Sequence, residues 1–309
     1  MTIAVLGVFA ADAVYRAERL PRMGETVLGR SFALGPGGKG SNQAVAAGKA
    51  MREGGEVSIV TRLGEDDFAA LAEATWQAAG VSSAVRRDPK SYTGAAAILL
   101  DDASGDNAIV VAPGAAGELS PRDVDERRAL IEAADVFVTQ LEQPLAAAEH
   151  ALRIAREAGA TTVLNPAPAR NLSDDLLALC DYVTPNETEA ELLTGLSVAT
   201  VEDAEGAARR LRERGAGAAV VTLGEKGALF HSADETIHVR AFRAGKVVET
   251  TGAGDAFNGA FAVALAERRG PADAVRFGCA AASISVTRPG AAASSPTREE
   301  IDSLMEASR

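Results

Sequence analysis

Cysteine, histidine, aromatic residues and positive charge are all scarce in this sequence, and each shortage removes a class of protein. Two cysteines occur in 309 residues, Cys180 and Cys279, far apart and without the spacing of metal ligands. That count excludes a disulfide scaffold and fits a reducing compartment. The three histidines, His150, His231 and His238, share no spacing. Each is expected at the surface or hydrogen-bonded in place, not as a ligand or base. Lys and Arg number 31 against 43 Asp and Glu, giving a net charge of -12 and no basic stripe. Nucleic acid is therefore excluded as an expected partner. No apolar run is long enough to cross a bilayer, so a membrane is excluded as well. Met1–Gly7 is too short for a secretory apolar region and has no basic residue before it. The expected location is the cytoplasm. Aromatic residues make up only 4%, so packing is expected to rest on alanine-rich helices against a sheet.

What is present is a long alternation of strand and helix signals. The chain is 47% hydrophobic, ample for one sizeable core. Ile3–Gly7 reads as a buried strand, with Asp12 just beyond its C-terminal end, where open α/β sheets bind ligands. Glu56–Thr61 reads as a strand and Asp66–Ala79 as a helix. From Ser120-Pro121, a helix start, the alternation is regular. Strands are expected at Val136–Thr139, Thr161–Leu164, Tyr182–Thr184 and Ala218–Leu223. Helices are expected at Leu145–Ala158, Leu172–Leu179, Glu187–Leu193 and Val201–Arg214. Arg268-Arg269 reads as a solvated helix end. Such alternation predicts an α/β fold with a doubly wound, mostly parallel sheet between helical layers, Rossmann-like and three-layered. Glu25–Leu34 is extended in character, and Tyr92–Leu100 and Asn107–Val111 form a hairpin around Asp101–Asp106. These segments predict a small separate sheet, a lid spanning approximately residues 13–36 and 91–113, on a single domain covering 1–309.

Glycine clusters and polar strand ends carry the candidate chemistry. Gly35-Pro36-Gly37-Gly38-Lys39-Gly40-Ser41-Asn42 opens an alanine-rich helix. It is not a P-loop, because Gly40 separates Lys39 from Ser41. It suggests close backbone approach to a small ligand, with Lys39 and Asn42 beside it. Gln140–Pro144, Asn165–Arg170 and Thr184–Glu189 follow predicted strands. Asn186 and Glu189 are three residues apart at a helix start. That spacing suits a capping box, and equally suits a hydrated Mg²⁺. Thr222–Gly227 closes another strand with a glycine turn, either against a nucleotide or as a plain hairpin.

The focal stretch is Glu249-Thr250-Thr251-Gly252-Ala253-Gly254-Asp255-Ala256-Phe257, which leads into a helix-forming run. A glycine turn that opens a helix presents unpaired N–H groups and the positive dipole end to an anion. A carboxylate there would repel an anion. Asp255 makes sense as a general base, taking a proton from a hydroxyl that attacks a phosphoryl group. The plain alternative is Asp255 as a helix N-cap.

Together these stretches resemble the PfkB-type carbohydrate kinases over essentially the whole chain, nearest the branch that phosphorylates ribose. The motifs are Gly24-Glu25-Thr26, Gly37-Gly38-Lys39-Gly40-Ser41-Asn42-Gln43-Ala44, Asn165-Pro166-Ala167-Pro168-Ala169, Thr184-Pro185-Asn186-Glu187-Thr188-Glu189, Thr222-Leu223-Gly224 and Gly252–Gly259. The resemblance implies an ATP-dependent kinase that makes ribose 5-phosphate from ribose, with Asp255 as base. The N–H groups of Gly252, Ala253 and Gly254 match the anion hole. Ala10, Asp12, Gly38, Lys39, Asn42, Glu142 and Asp255 match the sugar positions. Asn186, Thr222, Gly224, Glu225, Gly227 and Gly254 match nucleotide positions, and Cys279 falls at a variable position near the adenine. Asn186 and Glu189 match the motif that organises Mg²⁺ through water. Glu249, Thr251, Ser285, Arg288, Gly290 and Ser294 match a loop pair that binds K⁺, several through backbone carbonyls. The resemblance also implies a homodimer paired through the lid strands. Two departures stand out. Glu249 replaces the usual Asp, setting the carboxylate one methylene farther out. Ala10 replaces the usual Asn, removing a polar contact to a sugar hydroxyl, and Phe9 beside it is bulkier than usual. The alternatives are a kinase of this family for deoxyribose, another pentose, a nucleoside or a hexose, and a silent sugar- or nucleotide-binding regulator. A dinucleotide oxidoreductase lacks its glycine fingerprint, since Gly7–Asp12 holds only Gly7.

Overall fold

A computed structural model describes residues 1–104 and 106–308. Gly105, in the turn of the predicted 101–106 hairpin, and Arg309 lie outside the described residues. The strands are β1 (Thr2–Leu6), β2 (Ala10–Ala17), β3 (Gly29–Gly37), β4 (Glu56–Leu63), β5 (Val81–Arg87), β6 (Thr93–Asp101), β7 (Asn107–Gly114), β8 (Val136–Thr139), β9 (Thr161–Leu164), β10 (Tyr182–Val183), β11 (Ala218–Thr222), β12 (Ala228–His231) and β13 (Thr236–Val239). The helices are α1 (Lys39–Ala50), α2 (Asp67–Ala78), α3 (Pro121–Asp125), α4 (Arg128–Glu132), α5 (Leu145–Ala158), α6 (Asp174–Leu177), α7 (Glu187–Thr194), α8 (Val201–Glu213), α9 (Ala253–Ala266), α10 (Pro271–Ser285) and α11 (Arg298–Ala307).

Nine strands form the main sheet in the order β13-β12-β11-β10-β9-β8-β1-β4-β5. All its pairings are parallel except the β11–β12–β13 hairpins at one edge. Strand β1 shows why the fold has three layers. Ile3 and Val5 join a buried cluster with residues of α1, α2, α9 and α10. Ala4 and Leu6 join a second cluster with residues of α5, α7 and α8 on the opposite face. Successive side chains of a strand point to opposite faces, so a strand buried on both must be apolar throughout. Chain order reverses at β1, which pairs with β4 on one side and β8 on the other. Crevices at such switch points are where open α/β sheets bind ligands.

Four strands form the second sheet in the order β3-β2-β6-β7, matching the expected lid. Strand β2 pairs antiparallel with β3 and parallel with β6. The lid expected from about residue 13 begins at Ala10 in β2, three residues earlier, because Ala10, Ala11 and Asp12 carry no apolar alternation to mark the start. Asp12 thus sits within β2, not in a turn after β1. The extended segment expected from Glu25 begins only at Gly29, because Glu25 is turned back to Arg19 and to the N–H of Arg22.

Further differences have local causes. The expected helix over Leu172–Leu179 is one turn, α6. Ser173 caps it by accepting from Leu176 N, and Leu179 and Cys180 then bond three residues back, tightening the end. Strand β5 escaped notice because it is a polar edge strand paired only with β4. Arg268-Arg269 is not a simple solvated end. Arg268 adopts φ 58°, and Arg269 pairs with Glu267 at 2.7 Å and lies 4.4 Å over the Phe277 ring.

Candidate active site

Helix α9 begins at a glycine the fold demands. Gly252 has φ 79°, and a Cβ there would sit 2.7 Å from Ala291 Cα. Only glycine adopts this turn freely against that backbone. The Ala253 N–H closes the turn onto Thr250 O at 3.2 Å, and Ala256 N–H bonds Gly252 O. The N–H groups of Gly252, Gly254 and Asp255 find no backbone acceptor outside the helix among the described residues. With the positive end of the helix dipole they make a set of donors suited to an anion.

Asp255 lies in the first turn of α9 and is buried. The helix N-cap is Gly252, so the capping alternative for Asp255 does not hold. Its carboxylate instead accepts from Asn42 Nδ2 and Gln43 Nε2, each at 3.0 Å. Both donors come from α1, which crosses close over two elements. A Cβ on Gly40 would sit 2.5 Å from Gly7 Cα at the end of β1. A Cβ on Gly259 of α9 would sit 2.6 Å from Gln43 O. Glycines at these points let α1 approach near enough to hold Asp255.

The residues expected to hold the sugar converge on the same place. Gly38 turns the chain into α1 with φ 84° and no room for a Cβ beside Val8 O. The Lys39 N–H donates to Glu142 Oε2 at 2.7 Å. A Cβ on Gly37 would collide with the Asp12 carboxylate, so Gly37 makes room for it. Burial, with the Asp255 charge behind it, pushes the Asp12 carboxyl up to about 6. Burial pushes Glu142 up to about 7, against the pull of Lys39. The Lys39 ammonium is raised by the charges of Asp255, Glu142 and Glu189. Asn42 Oδ1 is a buried acceptor with no partner, suited to a ligand hydroxyl. Ala10 is buried at the start of β2, an apolar methyl where a polar contact was expected to be missing. Phe9 does not line the site as expected. It is fully buried and packs edge-on against Trp76 at 5.8 Å.

Asn186 and Glu189 do form a capping box. Glu189 N–H donates to Asn186 Oδ1 at 2.8 Å, and Asn186 N–H to Glu189 Oε2 at 2.9 Å. The cap does not take Glu189 out of the site, because burial raises its carboxyl and the charges of Lys39 and Asp255 act on it. One carboxylate and one amide oxygen suit an Mg²⁺ that keeps its waters. Among the described residues no three His, Cys, Asp or Glu side chains cluster to hold an ion directly.

Thr222 bridges Asn186 across β10 and β11, with its N–H on Pro185 O at 2.9 Å. The glycine turn after β11 therefore adjoins the Asn186–Glu189 pair. Gly224 and Gly227 both have positive φ, and Glu225 between them is exposed. Strand β11 turns into β12 as a hairpin. Cys279 is 4% exposed within the core, and burial pushes its thiol up to about 12.

The expected cation residues lie on two joined loops. Val248 N–H and Glu249 N–H both bond Val286 O, and Glu249 Oε2 accepts from Gly290 N–H at 2.9 Å. The extra methylene of Glu249 lets its carboxylate span from one loop to the other. Ser285 and Ser294 are buried, with hydroxyls on Ala282 O and Ala291 O. The Arg288 guanidinium turns away to Glu300, leaving only its backbone for such a site. Lys49 Nζ, at the end of α1, donates to Ala293 O and Ser295 O. A set of carboxylate, carbonyl and hydroxyl oxygens fits a hard monovalent cation.

Sequence reasoning assigned no role to Gln43, Gln140, Asn165, Thr184 or Asn258, all buried beneath Asp255. Their common signal was position: amides and a hydroxyl at strand ends or on the inner faces of α1 and α9.

The comparisons with known proteins agree with this geometry. Residues 2–298 match the pfkB family carbohydrate kinase profile. The chain is 40% identical over 306 residues to a ribokinase of Haemophilus influenzae, covering 99% of this chain and 98% of that one. It is 37% identical over 307 residues to a deoxyribokinase of Salmonella typhimurium, covering 99% of each. Its fold superposes with a TM-score of 0.93 on Arabidopsis thaliana ribokinase complexed with ribose and ATP, at 32% identity, covering 99% of this chain and 98% of that one. No described helix is long and apolar enough to cross a membrane. The chain belongs to the pfkB family of carbohydrate kinases.

Proposed function

We propose that this kinase transfers the γ-phosphoryl group of ATP to the 5-hydroxyl of ribose, giving ribose 5-phosphate. The carrying observation is the buried Asp255 carboxylate, held by Asn42 and Gln43 at the mouth of a helix where the N–H groups of Gly252, Gly254 and Asp255 have no backbone acceptor among the described residues. Supporting it are the names of the relatives and the ribose and ATP bound in the Arabidopsis enzyme. Phosphoryl transfer needs positioning and electrostatic stabilisation more than covalent help. Asp255 takes the hydroxyl proton while the N–H groups of Gly252, Ala253 and Gly254 receive charge building on the phosphoryl oxygens. The Ala253 N–H would exchange its long bond to Thr250 O for that contact. Asp12, Lys39, Asn42 and Glu142, with the Gly38 turn, hold the sugar hydroxyls. Thr222, Gly224, Glu225 and Gly227 lie along the nucleotide, and Cys279 presents only its small exposed edge. Asn186 and Glu189 would hold Mg²⁺ through water, and the ion supplies neutralisation of phosphate charge. Glu249, Thr251, Ser285, Arg288, Gly290 and Ser294 would hold K⁺ beside the anion hole.

The lid closes over the sugar and excludes water. Its outward face carries Tyr15, Phe32, Leu34 and Val110, all exposed, which supports pairing of two copies through the lid. The proposed location is the cytoplasm.

A second reading has one observation in its favour. Ala10 offers a methyl where a polar side chain would meet a hydroxyl, and a deoxyribokinase is among the relatives. Deoxyribose lacks one hydroxyl, so Ala10 costs it nothing. The test is ADP release with Mg-ATP and K⁺ across ribose, deoxyribose, other pentoses, hexoses and nucleosides. The ribose reading requires the highest kcat/KM on ribose. A higher kcat/KM on deoxyribose transfers the assignment to the second reading.

A further inference from the structure

Six residues form a ring beneath the start of α9, made of five hydrogen bonds and closed by the Gly254–Asp255 peptide bond. Gln43 Nε2 donates to Asp255 Oδ1 at 3.0 Å and to Asn165 Oδ1 at 3.1 Å. Asn165 Nδ2 donates to Thr184 O at 3.0 Å. Thr184 Oγ1 donates to Asn258 Oδ1 at 2.6 Å. Asn258 Nδ2 donates to Gly254 O at 2.8 Å, returning the path to the residue before Asp255. Gln43, Asn165, Thr184 and Asn258 are each 6% exposed or less.

The ring has one allowed direction. A carboxylate and two backbone carbonyls are acceptors only, so each amide must turn its NH₂ toward them. Gln43 is fixed further, because its Oε1 accepts from Gln140 Nε2 at 2.6 Å. Reversing any one amide would set oxygen against oxygen in a buried place, which is costly. The ring also crosses elements. Its members come from α1, the ends of β9 and β10, and α9. Asp255 and the anion turn are thus braced against the sheet edge as well as by their own helix.

We propose that this ring is a positioning device for phosphoryl transfer, with the Thr184 hydroxyl as the link that sets the Gly254 turn relative to the Asp255 carboxylate. Thr184 and Asn258 are positioning residues, and neither lies on the cleft surface. The inference rests on Asp255 acting as the base. Without the hydroxyl, Asn258 Oδ1 loses its donor, Asn258 can rotate, and α9 loses this tie to the end of β10. Valine matches threonine in shape, so Thr184→Val removes the link with little change in volume.

The experiment is steady-state kinetics on Thr184→Val, Thr184→Ser, Gln43→Met, the Thr184→Val/Gln43→Met double variant and Asp255→Asn. Misplacement of catalytic groups by about 1 Å costs roughly 100-fold, so Thr184→Val is expected to lower kcat by about 10- to 100-fold. The sugar KM is expected to stay within about twofold, because binding contacts remain. Thr184→Ser keeps the hydroxyl and restores kcat. In one ring the two lesions do not multiply, so the double variant falls little further than the worse single one. Wild-type kcat in Thr184→Val, failure of Thr184→Ser to restore it, or fully multiplicative losses would overturn the inference. If Thr184→Val does not fold, the decision passes to Gln43→Met, where a raised sugar KM with unchanged kcat has the same force. Asp255→Asn separates the two levels. Full turnover there removes the base assignment, whereas an inert Asp255→Asn beside a wild-type Thr184→Val removes only the ring.

Discussion

In the proposed assignment, the sugar half of the cleft rests mainly on side chains, and the phosphate-binding part of the nucleotide half rests on backbone. On the sugar side, Asp12, Lys39, Asn42, Glu142 and Asp255 meet as carboxylates, an ammonium and an amide, with Asn42 and Asp255 buried and the other three half-buried. On the nucleotide side, Gly224, Glu225 and Lys226 form an exposed turn, and the anion site is a set of N–H groups at Gly252–Asp255. The difference follows from what each half must recognise. A sugar hydroxyl is told apart by paired donors and acceptors in fixed positions, and a missing partner there is costly. A phosphate asks for N–H groups and a dipole, which any residue supplies if the backbone can turn. The first half should therefore fail through chemistry, and the second through geometry.

Asp255→Asn is the hardest blow to the sugar half. Loss of a positioned base costs about 10²- to 10⁴-fold, so kcat should fall by about a thousandfold. Sugar affinity by calorimetry should stay within about threefold, because the base acts in the transition state. Gly252→Ala tests the backbone half without touching a functional side chain. The new Cβ collides with Ala291 and the left-handed turn resists it, so the N–H donors shift. Removing one such donor costs about 10²- to 10³-fold, and kcat is expected to fall toward the lower figure. Sugar affinity should again hold. A fall confined to sugar affinity would blur the two halves.

Titration sharpens the contrast, since two carboxyls of the sugar half are pushed into the neutral range. Asp12 stands at about 6 and Glu142 at about 7. If, as proposed, their ionised forms accept sugar hydroxyls, kcat/KM should rise from pH 5 to pH 7, at most about tenfold per unit for each group. Stability runs the other way. Both groups hold a proton more tightly folded than unfolded, so their contribution is full below about 4 and is lost as pH rises through 6 and 7. Glu142→Gln should flatten the upper part of both curves, checked by a pH series of kinetics and of thermal melting. The smallest effect belongs to Glu225→Ala. An exposed side chain on a backbone-built turn should change the KM for ATP by no more than about twofold.

The sequence showed the main sheet well where strands are buried on both faces. Val136–Thr139 and Thr161–Leu164 are apolar-rich runs, and their bounds agree with β8 and β9. The start of β2 and the whole of β5 were hidden for opposite reasons, one opening on small residues in the lid and the other polar at an edge. The glycines of the site were legible, but their individual necessity was not. That Gly40 exists for Gly7, and Gly259 for Gln43 O, depends on contacts between residues far apart in sequence. The Asn186–Glu189 pair could be read as cap or as ion site, and the fold makes it a cap within reach of the charges of Lys39 and Asp255. The ring through Thr184 and Asn258 was invisible, since each member is a common polar residue until the fold closes the circuit.

The most direct test of the account is phosphorus NMR of the product formed from Mg-ATP and ribose. The expected product is a phosphate ester on the 5-hydroxyl, formed in step with ADP and about a thousandfold more slowly with Asp255→Asn. Free phosphate without ester, or an ester at the anomeric carbon, would contradict it.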